Sequence, residues 1–236
     1  RNKAVENVKG DIIAFIDDDE FPVKTWLLNL YKTLLHYNAD GTLGPVKPHY
    51  PENTPIWLIK SKLCERHEHK TGTKLHWGQT RTGNTLLNKK LFNDKQYWFD
   101  PVYGRTGGED TMFFKKHHEN GKVFIWCNEA SVYETVPPER WSKDFHISKN
   151  LRIGCGVGEA LRKKENEFQS YSKPKLLLQQ IYLLTKSTVW IISMTLCLPF
   201  SILFGQHYYM RCRTKLSYNF GLISGFWGCV AIRYRD

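Results

Sequence analysis

The feature that most constrains the fold is a short apolar run, Asp11–Ile16, that follows Gly10 and ends in four acids, Asp17, Asp18, Asp19 and Glu20. A run so short and apolar suits a buried strand of a parallel sheet. Pro22 and Trp26 then start a helix, with Trp26, Leu27, Leu30, Leu34 and Leu35 at near-helical spacing. Open α/β sheets bind ligands beyond the carboxyl ends of their strands. The acidic quartet falls at such an end, so the motif that predicts the fold also marks a candidate site.

The rest of the chain continues the alternation. Asp40-Gly41 stops the first helix, and Thr42–Val46 suits a second strand. Residues 48–72, with three prolines, form a long connection. His76–Leu87 suits a strand interrupted at Gly83-Asn84, and Asn88–Asn93 a turn of helix. Tyr97–Gly108 is a glycine-rich loop, and Glu109–Asn120 a helix stopped by Gly121. Lys122–Trp126 and Ala130–Tyr133 are short strands, and a helix begins near Glu139. Strands alternating with helices predict an α/β sheet. The expected organisation is a globular domain over residues 1–170 and a basic, apolar helical tail over 171–236. The chain opens inside an element, as expected of a fragment whose N-terminal part is missing.

Charge separates the two parts. Residues 1–139 hold 19 Lys and Arg against 18 Asp and Glu; residues 140–236 hold 15 against 5. A nucleic-acid binder with uniform basic charge would not show this step. A near-neutral body with a basic, apolar tail points to an anionic membrane surface. Residues 187–205 and 217–232 carry no formal charge, and Arg211, Arg213 and Lys215 are expected in a loop between them. A hairpin would put those cations on the far side, against the positive-inside bias. Helices lying in the interface, or a shallow re-entrant pair, are therefore expected. The six scattered cysteines include no CxxC pair, which suits reduced thiols in a cytoplasmic protein. The spacing of Cys64, His67, His69 and His76 matches no standard zinc pattern.

Three clusters can carry chemistry. Asp17, Asp18 and Asp19 would repel one another without a cation or donors nearby. Their oxygens suit Mg²⁺ or Mn²⁺ bridging protein and a diphosphate; a polar strand end before an acidic helix start is the plain alternative. In Gly107-Gly108-Glu109-Asp110, glycines permit close backbone approach and two acids sit at a helix start. An ionised carboxylate there can take a proton from a sugar hydroxyl; an ordinary helix cap is the alternative. In Pro137-Pro138-Glu139-Arg140-Trp141, Arg140 offers bidentate donors to phosphate and Trp141 a flat face to a sugar; a helix start with a core tryptophan is the alternative.

Taken together, Arg1-Asn2-Lys3-Ala4, Gly10–Glu20, Trp26-Leu27, Thr82-Gly83-Asn84, Gly107–Thr111 and Tyr133-Glu134 with Pro137, Arg140 and Trp141 resemble the middle of a family 2 glycosyltransferase. The resemblance covers about residues 1–165 and is nearest the bacterial exopolysaccharide branch, of succinoglycan glucosyltransferase type. It implies a GT-A type, Rossmann-like mixed sheet, incomplete at the N-terminus, with a C-terminal apolar helical appendage. The implied reaction is inverting transfer from a nucleotide-diphosphate sugar to a saccharide or lipid-linked saccharide acceptor. The implied roles are Asp110 as general base, with Glu109, Gly108 and Trp141 on the acceptor. Arg1, Asp17, Asp18, Asn84 and Arg140 would meet the donor. Asp17, Asp19 and Glu134 would hold Mg²⁺ or Mn²⁺. Pro137 or Pro138 stands where processive members have Gln, which argues against processive polymerisation. The first strand-helix-strand, which cradles the base, would precede Arg1. The expected location is the cytoplasmic face of the plasma membrane. The alternative function is a non-catalytic, membrane-attached saccharide-binding module that keeps the fold.

Overall fold

The computed structural model describes residues 1–104, 108–163 and 173–229. Gly107 and residues 230–232 of the second uncharged stretch lie outside them. In chain order the elements are α1 (Asn2–Glu6), β1 (Ile12–Phe15), β2 (Glu20–Pro22), α2 (Trp26–His36), β3 (Gly41–Leu43), β4 (Val46–His49) and α3 (Ile56–Ser61). Next come β5 (Thr85–Asn88), α4 (Glu109–Glu119), β6 (Phe124–Trp126) and β7 (Val132–Thr135). Three long helices follow, α5 (Lys143–Lys163), α6 (Lys173–Leu203) and α7 (Gln206–Phe226). The chain divides into two compact units. One is Arg1–His49 with Glu65–Thr135; the other is Tyr50–Cys64 with the described residues from Val136 onward.

The first unit holds two sheets. A four-stranded mixed sheet runs β1-β5-β3-β6, and a three-stranded one runs β2-β7-β4. Side chains alternate across a strand, so neighbours divide between two cores. Leu43, Leu87, Phe124 and Trp126 join an aromatic layer in which the Phe99 and Phe113 rings stack at 4.5 Å. Leu86 and Ile125 face the other way, against Leu30 and Leu34 of α2. Both faces of the inner strands β3, β5 and β6 are thus buried, at every residue but Asn88.

Several expected strands take a different form. β1 pairs with β5 in antiparallel register, Ile13 opposite Leu87, and is not part of a parallel pair. Only Ile13 of β1 is fully buried, and Ala14 is exposed. The strand expected over Thr42–Val46 breaks at Gly44-Pro45 into β3 and β4, which belong to different sheets. A Cβ at Gly44 would overlap the Ala130 carbonyl oxygen, so only glycine fits that crossing. The strand expected from His76 starts only at Thr85. His76 instead caps a short 3-10 turn over Trp77–Gln79: its Nδ1 accepts from the Gly78 N–H at 3.2 Å, and Gln79 Oε1 accepts from the His76 N–H at 2.9 Å.

In the second unit, glycines four residues apart on α5 and α7 face each other. A Cβ at Gly154, Gly158, Gly221 or Gly225 would overlap a backbone carbonyl oxygen of the facing helix. The two backbones therefore touch, as small residues permit in close helix crossings. The described part of the stretch beginning at 217 thus packs on α5. Arg211, Arg213 and Lys215 are not a loop. They lie within α7, and the chain turns earlier, at Gly205 with φ of 114°. Arg211 donates to the carbonyl oxygens of Ser61 (2.9 Å) and Lys60 (3.0 Å), capping the end of α3. Residues 50–64 thus join this unit, and the division falls at Val136, not at 170. α6 differs from its neighbours. Over Leu177–Leu203 it is long and apolar enough to cross a membrane, and only 6% of that stretch is buried.

Candidate active site

Asp17 to Glu20 form a tight turn between β1 and β2, closed by the Glu20 N–H donating to the Asp17 carbonyl at 3.1 Å. Glu20 Oε2 answers by accepting from the Asp17 N–H at 3.2 Å. Asp17, Asp18 and Asp19 stay exposed, and Glu20 turns inward. Arg1 bridges the turn to the start of α4. Its Nη2 lies 3.9 Å from Asp17 Oδ1, and its Nη1 donates to Glu109 Oε1. Gly108 caps that helix with φ of 97°, a conformation that favours glycine. Glu109 and Asp110 fill its first turn, where the helix dipole favours carboxylates. The Asp110 Oδ1 accepts from the Thr111 N–H at 2.8 Å.

The β2–β7 register sets Glu20 directly opposite Glu134. Like charges so placed repel, and two features relieve them. Arg66 donates to Glu134 Oε2 at 2.5 Å. Burial, with the neighbouring acids adding to it, pushes the Glu20 carboxyl up to about 7, so it holds a proton over much of the acidic range. Asp17 is also pushed up, mainly by burial; Arg1 opposes the shift, and Asp19 and Glu134 reinforce it. Burial draws Arg81 down to about 10, with Arg66 adding to the effect and Glu20, Asp110 and Glu134 opposing it.

Asp17 and Asp19 are a hard-oxygen pair of the kind Mg²⁺ or Mn²⁺ takes when water and phosphate complete its shell. Among the described residues, no three His, Cys, Asp or Glu side chains are grouped to hold a metal by themselves. Glu134 does not extend the pair, because its carboxylate is bound to Arg66. The two aspartates therefore fit a cation shared with a diphosphate, and Glu134, expected as a third ligand, is engaged by Arg66 in this structure.

Asn84 is also corrected. It is fully buried, with φ of 57°. Its Nδ2 donates to the carbonyl oxygens of Pro45 (2.9 Å) and Ala130 (2.7 Å), and its Oδ1 accepts from Trp26 Nε1 at 2.6 Å. Both amide hydrogens are thus committed inside the protein, and no donor reaches this side chain. Its effect on the site passes through its neighbour. A Cβ at Gly83 would come within 3.0 Å of Asp17 Oδ2 and 3.1 Å of Glu20 Oε1, so the chain passes directly beneath the carboxylates.

Arg140 and Trp141 belong to the second unit. The Trp141 Nε1 donates to the Val136 carbonyl at 2.9 Å, and the Arg140 carbonyl oxygen lies 2.8 Å from His146 Nε2. Three residues of the first unit gain a place that sequence reading had not given them: Glu20, Arg66 and Arg81. Only Glu20 carried a signal, as the fourth acid of the quartet. Arg66 lies in a connection with no periodicity, and Arg81 was passed over beside Thr82-Gly83-Asn84.

A carboxylate turn at a strand end, tied by one arginine to a helix start that carries two further acids, defines a site for a charged ligand and a proton acceptor. Residues 1–121 match the family described as Glycosyl transferase family 2, and the chain belongs to that family. It is 34% identical over 167 residues to the succinoglycan biosynthesis protein ExoM of Rhizobium meliloti (strain 1021), covering 70% of this chain. It spans about half the length of that relative (52%). Among solved structures, S. aureus TarS 1-349 in complex with UDP is 17% identical, with a TM-score of 0.43 over 95% of this chain and 69% of that one. TarS 1-349 in complex with UDP-GlcNAc is likewise 17% identical, with a TM-score of 0.44 over 94% of this chain and 70% of that one. Family membership makes the mixed α/β sheet one of GT-A type.

The Asn84 assignment has a direct check. Asn84→Ala strands two carbonyls and an indole N–H and puts alanine at a positive φ, so unfolding stability should fall by about 3–5 kcal/mol. The thermal midpoint of the ligand-free protein reads this. An unchanged midpoint with lost nucleotide-sugar affinity would instead put Asn84 among the donor ligands.

Proposed function

We propose that the protein containing this chain moves a sugar, with inversion, from a nucleotide-diphosphate sugar to a lipid-linked saccharide in cell-surface or exopolysaccharide assembly. The observation that carries this reading is the Arg1 bridge from Asp17 to Glu109, which sets a carboxylate turn and the Asp110 helix start in one frame. Membership of the family supplies the reaction class, and the likeness to a protein named for succinoglycan biosynthesis supports the polysaccharide direction.

The chemistry follows from where charge moves. Cleaving the anomeric bond builds negative charge on the departing diphosphate. Asp17 and Asp19 would hold the Mg²⁺ or Mn²⁺ that neutralises that charge when bound. Asp110 takes the proton from the attacking acceptor hydroxyl. Glu109, drawn back by Arg1, is kept from competing for that proton. Glu20, raised to about 7 by burial, accepts from the Asp17 N–H and carries less than a full negative charge near neutral pH.

Calorimetry and turnover on the full-length protein, with and without divalent cation, test these roles together. Asp110→Asn should lower turnover by about 10²–10⁴-fold and leave donor affinity intact. Asp19→Ala should remove the cation dependence of donor binding. If donor affinity fell in step with turnover in Asp110→Asn, Asp110 would be a donor ligand and not the base.

We further propose that α6 attaches the protein to the cytoplasmic face of the plasma membrane. Ile192, Leu196 and Phe200 are all exposed on it. Lys215 lies 4.7 Å over the Trp190 ring and Lys186 5.6 Å over Tyr182, which sets cations beside apolar surface. Such a surface combines apolar burial with attraction to anionic lipid. The protein should sediment with anionic vesicles, and Cys197, exposed on α6, should then be shielded from an aqueous maleimide. Equal labelling of Cys197 with and without vesicles would refute the attachment through α6.

A further inference from the structure

The first unit contains a polar cavity of about 420 Å³, lined among others by His67, His69, Gln79, Arg81 and Asp110. That volume lies in the range of small-ligand pockets. Asp17 and Asp19, the proposed diphosphate side, do not line it. Asp110, the proposed base, does, so this is the acceptor side of the reading given above, on which the inference rests. Among the described residues that line the cavity, Asp110 is the only carboxylate, and the other ionisable groups are Arg81 and the two histidines.

Arg81 is the unusual member. Among the described residues, no hydrogen bond or ion pair within contact distance engages its guanidinium. Of the acids that attract it at longer range, Glu134 is bound to Arg66, Glu20 accepts from the Asp17 N–H, and Asp110 shares the cavity wall with it. Arg81 is half-buried in the cavity wall, and that burial draws it down to about 10. A guanidinium has five donors and keeps its charge, so one held in a cavity without a protein acceptor favours an anion there. Its planar fork matches the paired oxygens of a carboxylate or phosphate. His67 and His69 lie with ring centroids 4.6 Å apart, and burial and His67 lower the His69 pKa. His69 therefore contributes hydrogen bonding more than charge at neutral pH.

We propose that this cavity seats an anionic acceptor, with Arg81 gripping its carboxylate or phosphate oxygens while Asp110 faces its reacting hydroxyl. The charge has two possible sources: an acidic sugar in the acceptor saccharide, or the phosphate that links a saccharide to its carrier. Both present the same paired oxygens to Arg81.

The test is binding to the full-length protein, followed by ligand-observed NMR, of methyl β-glucuronide, methyl β-glucoside and methyl phosphate. At least one anion should bind more tightly than the glucoside. That binding should weaken about 10–100-fold in Arg81→Gln and recover in part in Arg81→Lys. Preference for the glucuronide assigns the charge to the sugar; preference for methyl phosphate assigns it to the carrier. Nucleotide-sugar affinity should not change in Arg81→Gln, and the thermal midpoint of each variant controls for folding. Equal binding of glucoside and both anions, or anion binding indifferent to Arg81, would overturn the proposal alone. Loss of nucleotide-sugar affinity in Arg81→Gln would also overturn it, by placing Arg81 on the donor. Wild-type protein that bound no nucleotide sugar would overturn the transferase reading, and with it the acceptor assignment.

Discussion

The Asn84 side chain holds together the part of the molecule on which the site is built. Two strand pairs, β3 with β6 and β4 with β7, run parallel in different sheets, so the chain passes from one sheet to the other after β3 and again after β6. The crossings leave the carbonyls of Pro45 and Ala130 pointing inward, where an unpaired carbonyl is costly. One amide satisfies both and also receives the Trp26 indole at the start of α2. The same clip fixes Gly83 beneath Asp17 and Glu20, with Arg81 two residues away. Stability and site geometry therefore meet in one four-residue stretch, Arg81 to Asn84.

Around that clip the acidic site is balanced by three arginines at different depths. Arg1 spans Asp17 and Glu109 at the surface, Arg66 pairs with Glu134, and Arg81 is half-buried with no hydrogen bond or ion pair among the described residues. The opposition of Glu20 and Glu134 follows from strand register, and it is relieved by one ion pair and one retained proton. Charges are thus separated by role. Asp17 and Asp19 are exposed on the turn, Asp110 stands at a helix start, and Glu20 is turned inward, where burial raises its carboxyl to about 7.

Short-range patterns were legible in the sequence, and long-range partnerships were not. The acidic end of β1, the start of α4 at Gly108, and the apolar character of α6 each lie within one element, and each is where the sequence placed it. Asn84 stood out as an interruption in a strand, but its three partners lie 39 to 58 residues away, so it resembled a ligand residue. Arg66 and Glu134 are 68 residues apart, in stretches without periodicity. The glycines of α5 and α7 have no partner that spacing along the chain reveals. Only the tertiary structure shows that each admits a facing carbonyl. Antiparallel pairing of β1 was equally hidden, because an apolar strand does not reveal its partner's direction.

The configuration of the product's anomeric carbon tests the central claim most directly. If Asp110 deprotonates an acceptor that attacks in a single displacement, the full-length protein given an α-linked nucleotide sugar must form a β-glycoside, visible in the anomeric proton resonance of the isolated product. An α-glycoside from the same donor would contradict a single displacement with Asp110 as its base.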